Sequence, residues 1–182
     1  MTLGVLIGEK WGDDVFDLVR GTIDARWVIV RYDTKESWET VTTRFKFSYL
    51  FLLNWSRKIP ASVANEIEIV NFHCTPLPYG RGGGPIENMI LRGHETTVVT
   101  AHRVVEELDA GPIYTQSEPL SLFGSKDQIR ARFVDPVVRM IQTIVTKRPT
   151  PVDQAGDPVY FRRLPEDEMA RFWEERRNAV RH

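Results

Sequence analysis

Residues 67–73, Ile-Glu-Ile-Val-Asn-Phe-His, form a short apolar run that ends on polar side chains and predicts a buried strand. Three similar runs come earlier in the chain, at residues 3–7, 27–32 and 47–53. Apolar residues with helical spacing follow the first run, and residues 36–43 predict a second, short helix. Strands that alternate with helices are typical of an α/β fold with a mainly parallel sheet flanked by helices.

The second half of the chain continues this pattern after a long Pro- and Gly-rich loop, residues 74–85. Loops of this length in a compact domain are commonly functional. The segments that follow predict a helix, two strands and a long helix with a capping box, at residues 86–91, 97–105, 112–116 and from 125 onward. We therefore predict one catalytic domain over residues 1–147. A C-terminal tail over residues 148–182, with a linker, a short strand and a helix, is expected to pack on the same domain.

The composition argues against several classes of protein. Lys and Arg total 24 and Asp and Glu total 25, and this balance argues against a strong grip on nucleic acid. The single cysteine, Cys74, excludes an intrachain disulfide and suits a reducing compartment. The N-terminus lacks the features of a signal peptide, and no apolar run approaches the roughly 20 residues that span a bilayer. We expect a cytoplasmic protein with no nucleic-acid or membrane partner.

Polar side chains lie at the end of the strand predicted over residues 67–73. Residues two apart in an extended chain point to the same side, so Asn71 and His73 should project together. They would lie at the carboxyl edge of the sheet, where open α/β sheets bind ligands. Asp109 follows an apolar-rich strand, and we expect it to reach the same edge from the neighbouring strand end. A set of Asn, His and Asp without a Ser or Cys nucleophile predicts direct group transfer with no covalent intermediate.

Residues 71–82 (NFHCTPLPYGRG) resemble the signature of the formyltransferase family that uses 10-formyltetrahydrofolate. In that family, Asn-x-His is followed by a small residue, a Leu-Pro pair and a glycine. Residues 92–97 resemble the family's Gly-then-Thr strand entry, and residues 106–113 resemble its Leu-Asp-x-Gly-x-Ile element. The pieces occur in the family's order, and the resemblance extends from residue 49 to residue 116. It implies a Rossmann-like formyltransferase fold and an enzyme of one-carbon transfer.

The resemblance assigns the family's catalytic residues to Asn71, His73 and Asp109. Attack of an amine on a formyl carbonyl creates an oxyanion, which Asn71 and a protonated His73 are suited to stabilise. The incoming ammonium must lose protons, and Asp109 suits that task, directly or through a water. Asp109 would also hold His73 in its charged form. We therefore expect transfer through a tetrahedral intermediate, with 10-formyltetrahydrofolate as the donor and no metal.

The resemblance also implies two binding regions. The folate pocket is expected just after the third strand and just before the catalytic Asp, at Ser56, Arg57, Lys58, Ile59, Val104, Val105, Glu106, Glu107 and Leu108. The acceptor is expected beside the first loop and the Gly-rich loop, at Gly8, Lys10, Trp11, Tyr79, Gly80, Arg81, Gly82 and Gly83.

The expected acceptor depends on the branch of the family that the chain resembles. The tRNA-specific branch carries an extra C-terminal domain, which this sequence lacks, so a tRNA substrate is not expected. The purine-synthesis branch binds phosphate with its first loop, whereas residues 8–14 here contain acids that disfavour a phosphate. The loop at residues 80–84 and the tail at residues 159–167 resemble the sugar N-formyltransferases. The expected acceptor is therefore an amino sugar carried on a nucleotide.

Several alternatives stay open at this point. The chain could be a glycinamide ribonucleotide formyltransferase-like enzyme, a hydrolase of the formyl donor, or a non-catalytic folate-binding module. His94 and His102 match no metal-ligand spacing and are predicted to be ordinary strand and loop residues, and Cys74 is not predicted to be reactive. Phe172 and Trp173 of the final helix suit either a homodimer contact or packing on the chain's own core.

Overall fold

A computed structural model describes residues 1–8, 10–31, 38–55 and 59–179. Its strands, in chain order, are β1 (Thr2–Ile7), β2 (Arg26–Arg31), β3 (Tyr49–Leu53), β4 (Ile69–His73), β5 (Tyr79–Gly82), β6 (Thr96–Thr97), β7 (Thr100–Arg103), β8 (Ile113–Gln116), β9 (Leu120–Ser121) and β10 (Val159–Phe161). Its helices are α1 (Lys10–Val19), α2 (Trp38–Arg44), α3 (Ala61–Ala64), α4 (Pro85–Leu91), α5 (Lys126–Lys147) and α6 (Glu166–Ala179). The first two residues of the helix predicted over residues 36–43 lie outside the described residues.

Within the described residues, six strands form the central sheet in the order β2-β1-β3-β4-β7-β8. Strands β2, β1, β3 and β4 pair in parallel. In contrast, β7 runs antiparallel to β4, and β8 runs antiparallel to β7. The predicted α/β fold with a mainly parallel sheet is therefore confirmed, and the carboxyl ends of β1, β3 and β4 meet at one edge.

The central strands are buried on both faces, which explains why they appear in the sequence as continuous apolar runs. Val5 of β1 and Val70 of β4 pack in a large core cluster that includes Phe133 of α5. Their neighbours along the chain, Leu6 and Ile69, pack in a smaller cluster on the other face. Because side chains alternate along a strand, Asn71 and His73 lie on the same face of β4 as Ile69.

The C-terminal tail is joined to the rest of the structure by β10, which pairs in parallel with β5. Strand β5 lies inside residues 74–85, which the sequence predicted as a loop, so the prediction missed a strand there. A four-residue strand whose partner comes much later in the chain has little local signal. Helix α3 and strand β9 are also absent from the prediction, and the single strand predicted over residues 97–105 is divided into β6 and β7.

Helix α6 docks through its aromatic residues. Trp173 is buried, and its Nε1 donates a hydrogen bond to Glu87 Oε1 at 2.8 Å. Phe172 is partly buried and packs against the large core cluster. Of the two roles expected for these aromatics, the structure therefore shows packing on the chain's own core.

Helix α5 contributes many residues to the large core cluster. Phe133 is the largest fully buried apolar side chain on this helix, at 2% exposed. We expect Phe133→Ala to lower the free energy of unfolding by roughly 3–5 kcal/mol, because it removes buried contacts and leaves a cavity. Denaturant unfolding followed by circular dichroism measures the change. Phe123→Ala is the matched control, since Phe123 is 69% exposed. Equal losses for the two variants would show that Phe133 is not a core residue.

Candidate active site

The candidate active site lies at the end of β4, where three side chains gather on one face. Antiparallel pairing with β7 sets Asn71 opposite His102. Residues directly opposite each other in an antiparallel pair point to the same face, so His102 joins Asn71 and His73. Asn71 Nδ2 lies 3.3 Å from His102 Nε2, and the rings of His73 and His102 meet edge to face at 6.4 Å.

Asp109 completes the cluster from a loop. Its Oδ2 lies 3.7 Å from His73 Nδ1, and its Oδ1 lies 3.6 Å from His102 Nε2. The expected route from a neighbouring strand end is wrong, because β7 is antiparallel and its end, Arg103, pairs with Val70 rather than with His73. Residues 104–112 therefore return along the sheet face, and Asp109 adopts a left-handed backbone with φ of 52°.

Strand β5 holds the other side of the cluster with backbone groups. His73 Nε2 lies 2.8 Å from the carbonyl oxygen of Gly80, and the backbone N–H of Gly82 donates to Asp109 Oδ2 at 2.9 Å. Gly82 has a φ of 104°, and a Cβ there would collide with the carbonyl oxygen of Phe161. The Gly-rich segment therefore lets backbone approach both His73 and Asp109 closely.

The two ring nitrogens of His73 have different partners. Because a carbonyl only accepts, Nε2 donates to Gly80, and Nδ1 faces Asp109. Burial lowers the pKa of His73, and the charge of Asp109 and the bond to Gly80 only partly offset it. Burial thus favours the neutral ring and the carboxylate favours the charged ring, and the protonated His73 expected from the sequence stays a prediction.

The carboxyl group of Asp109 is held in its ionised form. Burial would raise its pKa, but the hydrogen bond to His102, the charges of His73 and His102, and the Gly82 N–H together lower it to about 2. The side chain is only 8% exposed. A nearly enclosed carboxylate thus faces two imidazoles at neutral pH.

His102 is the site residue that the sequence analysis missed. It was predicted to be an ordinary strand residue, whereas its side chain is 2% exposed and contacts both Asn71 and Asp109. Its Nδ1 donates to the Arg103 carbonyl, which turns Nε2 toward the cluster. The available signal was weak: His102 belongs to a strand, but only the register of that strand against β4 brings it to the site.

The residues expected to bind folate do not all lie at one place in the structure. Ile59 is buried in the smaller core cluster, and Val104 packs against it. Glu107 and Leu108 are exposed, each at 62%, and they lie in the loop that carries Asp109. Glu106 is exposed and Val105 is half-buried in that loop, whereas Ser56, Arg57 and Lys58 lie outside the described residues. The folate assignment of the loop from Val104 to Leu108 stays a prediction.

The residues expected to bind the acceptor lie along β5 and at the end of β1. The N–H of Gly8 donates to the Leu53 carbonyl, and Trp11 is half-buried against the large core cluster. Tyr79 hydroxyl lies 3.1 Å from His94 Nε2, and the N–H of Gly83 donates to the Phe161 carbonyl. Arg81 is buried and bonded to protein groups, and Lys10 begins α1. Their contacts with an acceptor stay predictions.

The described part of the chain bears on the question of metal ligands, and the state of its thiol follows from burial. It contains no group of three or more His, Cys, Asp or Glu side chains that could hold a metal ion. Burial raises the pKa of Cys74 to about 12, so its thiol is protonated at neutral pH. In the same residues there is no helix long and apolar enough to cross a membrane.

Sequence relatives of the chain fall in one family. The family described as Formyl transferase matches residues 30–143, which is more than half of the chain. Methionyl-tRNA formyltransferase of Thermotoga maritima is 37% identical over 81 residues, which make up 44% of this chain and 26% of that protein. The chain spans about a quarter of the length of the curated relatives it matches.

Solved structures share the fold. Methionyl-tRNA formyltransferase from Clostridium thermocellum superposes with a TM-score of 0.82 at 27% identity, over 92% of this chain and 74% of that one. The formyltransferase PseJ from Anoxybacillus kamchatkensis, in complex with UDP-4,6-dideoxy-4-formamido-L-AltNAc and tetrahydrofolate, superposes with a TM-score of 0.72 at 14% identity. The second match covers 99% of this chain and 97% of that one. The formyltransferase fold expected from the sequence is confirmed.

The contact between Asp109 and His73 makes a prediction about pH. The carboxylate raises the pKa of His73, so Asp109→Asn should lower the pKa of His73 further below its ordinary value. NMR titration of the imidazole nitrogens measures this pKa. Asp135→Asn is the control, since Asp135 is an exposed carboxylate on α5. An unchanged pKa of His73 in Asp109→Asn would contradict the arrangement.

Proposed function

This chain belongs to the formyl transferase family, and on that premise we propose that it transfers a formyl group from 10-formyltetrahydrofolate to an amine. One observation carries the proposal: Asn71, His73 and Asp109 come together around His102 at the end of β4. This set supplies an amide donor, an imidazole and an ionised carboxylate. Together they serve the two needs of amine formylation, oxyanion stabilisation and proton removal.

Proton removal is the task of Asp109 and His73 in this mechanism. The acceptor ammonium loses one proton to solvent to become the attacking amine, and it loses a second proton as its nitrogen bonds to the formyl carbon. With a pKa near 2, the carboxylate of Asp109 attracts the ammonium but is a weak final base. The unprotonated Nδ1 of His73, 3.7 Å from Asp109 Oδ2, takes the proton and forms an imidazolium beside the carboxylate. Asp109 thus relays the proton, directly or through a water, and stabilises the charge that appears on His73.

Stabilisation of the oxyanion is the task of Asn71 and the newly charged His73. The tetrahedral intermediate carries negative charge on the former formyl oxygen, and in this proposal Asn71 Nδ2 donates a hydrogen bond to it. In the resting site, this amide lies 3.3 Å from His102 Nε2, which fixes its orientation. Collapse of the intermediate breaks the bond between the formyl carbon and the folate nitrogen. That nitrogen then takes a proton from the imidazolium, which restores neutral His73.

The acceptor that we propose is an amino sugar carried on a nucleotide. The support is the PseJ structure, which this chain matches over nearly the full length of both and which contains a UDP-linked formamido sugar with tetrahydrofolate. The formal net charge of −1 also suits a small acceptor better than a polyanion.

Methionyl-tRNA is the competing acceptor, and a specific observation favours it. The methionyl-tRNA formyltransferase of Thermotoga maritima is 37% identical over 81 residues, and that of Clostridium thermocellum is 27% identical with a TM-score of 0.82. The two acceptors share the same formyl chemistry but differ greatly in size and charge, so a direct comparison of substrates separates them.

The test is release of tetrahydrofolate from 10-formyltetrahydrofolate in the presence of each acceptor. We expect release with at least one UDP-linked amino sugar, together with the formylated sugar by mass spectrometry. Release with methionyl-tRNA or with glycinamide ribonucleotide alone would replace the proposed acceptor. Equal release with and without any amine would identify a hydrolase. No release under any condition would leave a folate-binding module and overturn the enzymatic proposal.

Asn71→Ala tests the oxyanion role. We expect kcat to fall by about 10²–10³-fold, as for the loss of one oxyanion donor in other acyl-transfer sites, with little change in the melting temperature. Steady-state kinetics with the acceptor that the release assay identifies measures the effect. Asn178→Ala on α6 is the matched control, since Asn178 is exposed, and it should keep normal kcat. A kcat within twofold of normal in Asn71→Ala would exclude Asn71 from the mechanism.

A further inference from the structure

The loop that carries Asp109 is held by a side chain from the C-terminal tail. Gln154 Nε2 donates two hydrogen bonds of 2.8 Å, one to the carbonyl oxygen of Asp109 and one to that of Gly111. These carbonyls lie on either side of Ala110, in the stretch where Asp109 has its left-handed backbone. Gln154 therefore binds the backbone of the residue whose carboxylate completes the active site.

Gln154 is in turn held by Arg81 of β5. Its Oε1 accepts from Arg81 Nε at 3.1 Å and from Nη2 at 2.8 Å. The remaining guanidinium nitrogen, Nη1, donates to Glu107 Oε1 at 2.9 Å and to the Tyr160 hydroxyl oxygen at 3.2 Å. The Arg81 side chain is only 8% exposed, and Gln154 is half-buried. We call this pair, Arg81 with Gln154, the amide clamp.

The chemistry of the amide clamp requires a glutamine-like side chain at position 154. A guanidinium only donates and a carbonyl only accepts, so the residue between them must accept on one side and donate on the other. A carboxylate would match Arg81 but repel the two carbonyls, and an aliphatic side chain would leave all of these groups unpaired. The amide of Gln154 uses both hydrogens and both oxygen lone pairs, and a neutral primary amide of this length meets the requirement.

We infer that Gln154, held by Arg81, is a positioning residue that fixes the backbone of Asp109 so that its carboxylate reaches His73 and His102. The effect of this positioning on the rate of formyl transfer rests on the proposed function, whereas the positioning of Asp109 does not. The inference also places part of the site beyond residue 147, where the sequence analysis ended the catalytic domain. Such positioning matters for rate, because reacting groups displaced by about 1 Å can cost about 10²-fold.

The backbone around Gln154 is anchored independently of its side chain. Val152 and Ile113 exchange two backbone hydrogen bonds, of 2.7 and 2.8 Å, which tie the tail to β8. A substitution at position 154 should therefore remove the amide clamp and leave the tail in place. This separates a positioning role from a general structural one.

The test compares Gln154→Met with Gln142→Met. Gln142 lies on α5, and its Nε2 donates to Thr22 Oγ1 at 3.0 Å on an exposed surface, so it is a matched control. For Gln154→Met we expect a kcat about tenfold to hundredfold lower with a nearly unchanged KM. We also expect the NMR pKa of His73 to fall toward its value in Asp109→Asn, because the carboxylate moves away. Gln142→Met should match the unsubstituted protein in both measurements.

A second variant, Gln154→Glu, keeps the length and the bond to Arg81 but loses the amide donors. We expect it to show the same losses as Gln154→Met. Normal kcat and normal pKa of His73 in Gln154→Glu would overturn the proposal, even if Gln154→Met failed to fold. A His73 pKa that falls without loss of kcat would overturn the claim that this positioning matters for catalysis. If the unsubstituted protein transfers no formyl group, the proposed function fails, and the pKa of His73 alone still decides whether the amide clamp positions Asp109.

Discussion

The site depends on the groups that surround the buried carboxylate of Asp109 and keep it ionised. An ionised carboxylate removed from water costs several kcal/mol unless donors or positive charge surround it. Here the partners are the Gly82 N–H and the imidazoles of His73 and His102, which come from different segments of the chain. Each segment must hold its position for the carboxylate to remain ionised, and this links the chemistry of the site to the packing of the fold.

Because β7 is antiparallel to β4, the chain must turn back after β7 to bring Asp109 to the site. A parallel β7 would have ended at the same edge as β4, and Asp109 could have followed it directly. Because β7 runs the other way, residues 104–112 must return along the sheet face and carry a left-handed residue at Asp109. A returning loop of this kind has little regular structure of its own. Its position depends on contacts with β5 and with the tail, including those of Gln154.

Much of the fold could be predicted because its signals are local. Two-sided burial leaves continuous apolar runs, and these placed the principal strands and the pairing of Asn71 with His73 on one face. Strand β5 escaped prediction because the four glycines within residues 80–84 are typical of a loop, and only pairing with β10 makes this segment a strand. The lowering of the His73 pKa by burial has no signal in the sequence, because that burial follows from the closure of several segments around the ring.

The sequence by itself determined the class of fold, the family and the residues most suited to the chemistry, because strand periodicity and motif spacing are properties of neighbouring residues. Only the tertiary structure decided that His102 faces Asn71, that Asp109 arrives by a returning loop, and that a glutamine of the tail contacts its backbone. These contacts join segments far apart in the chain. Their register, burial and charge exist only when the segments meet, so no local pattern contains them.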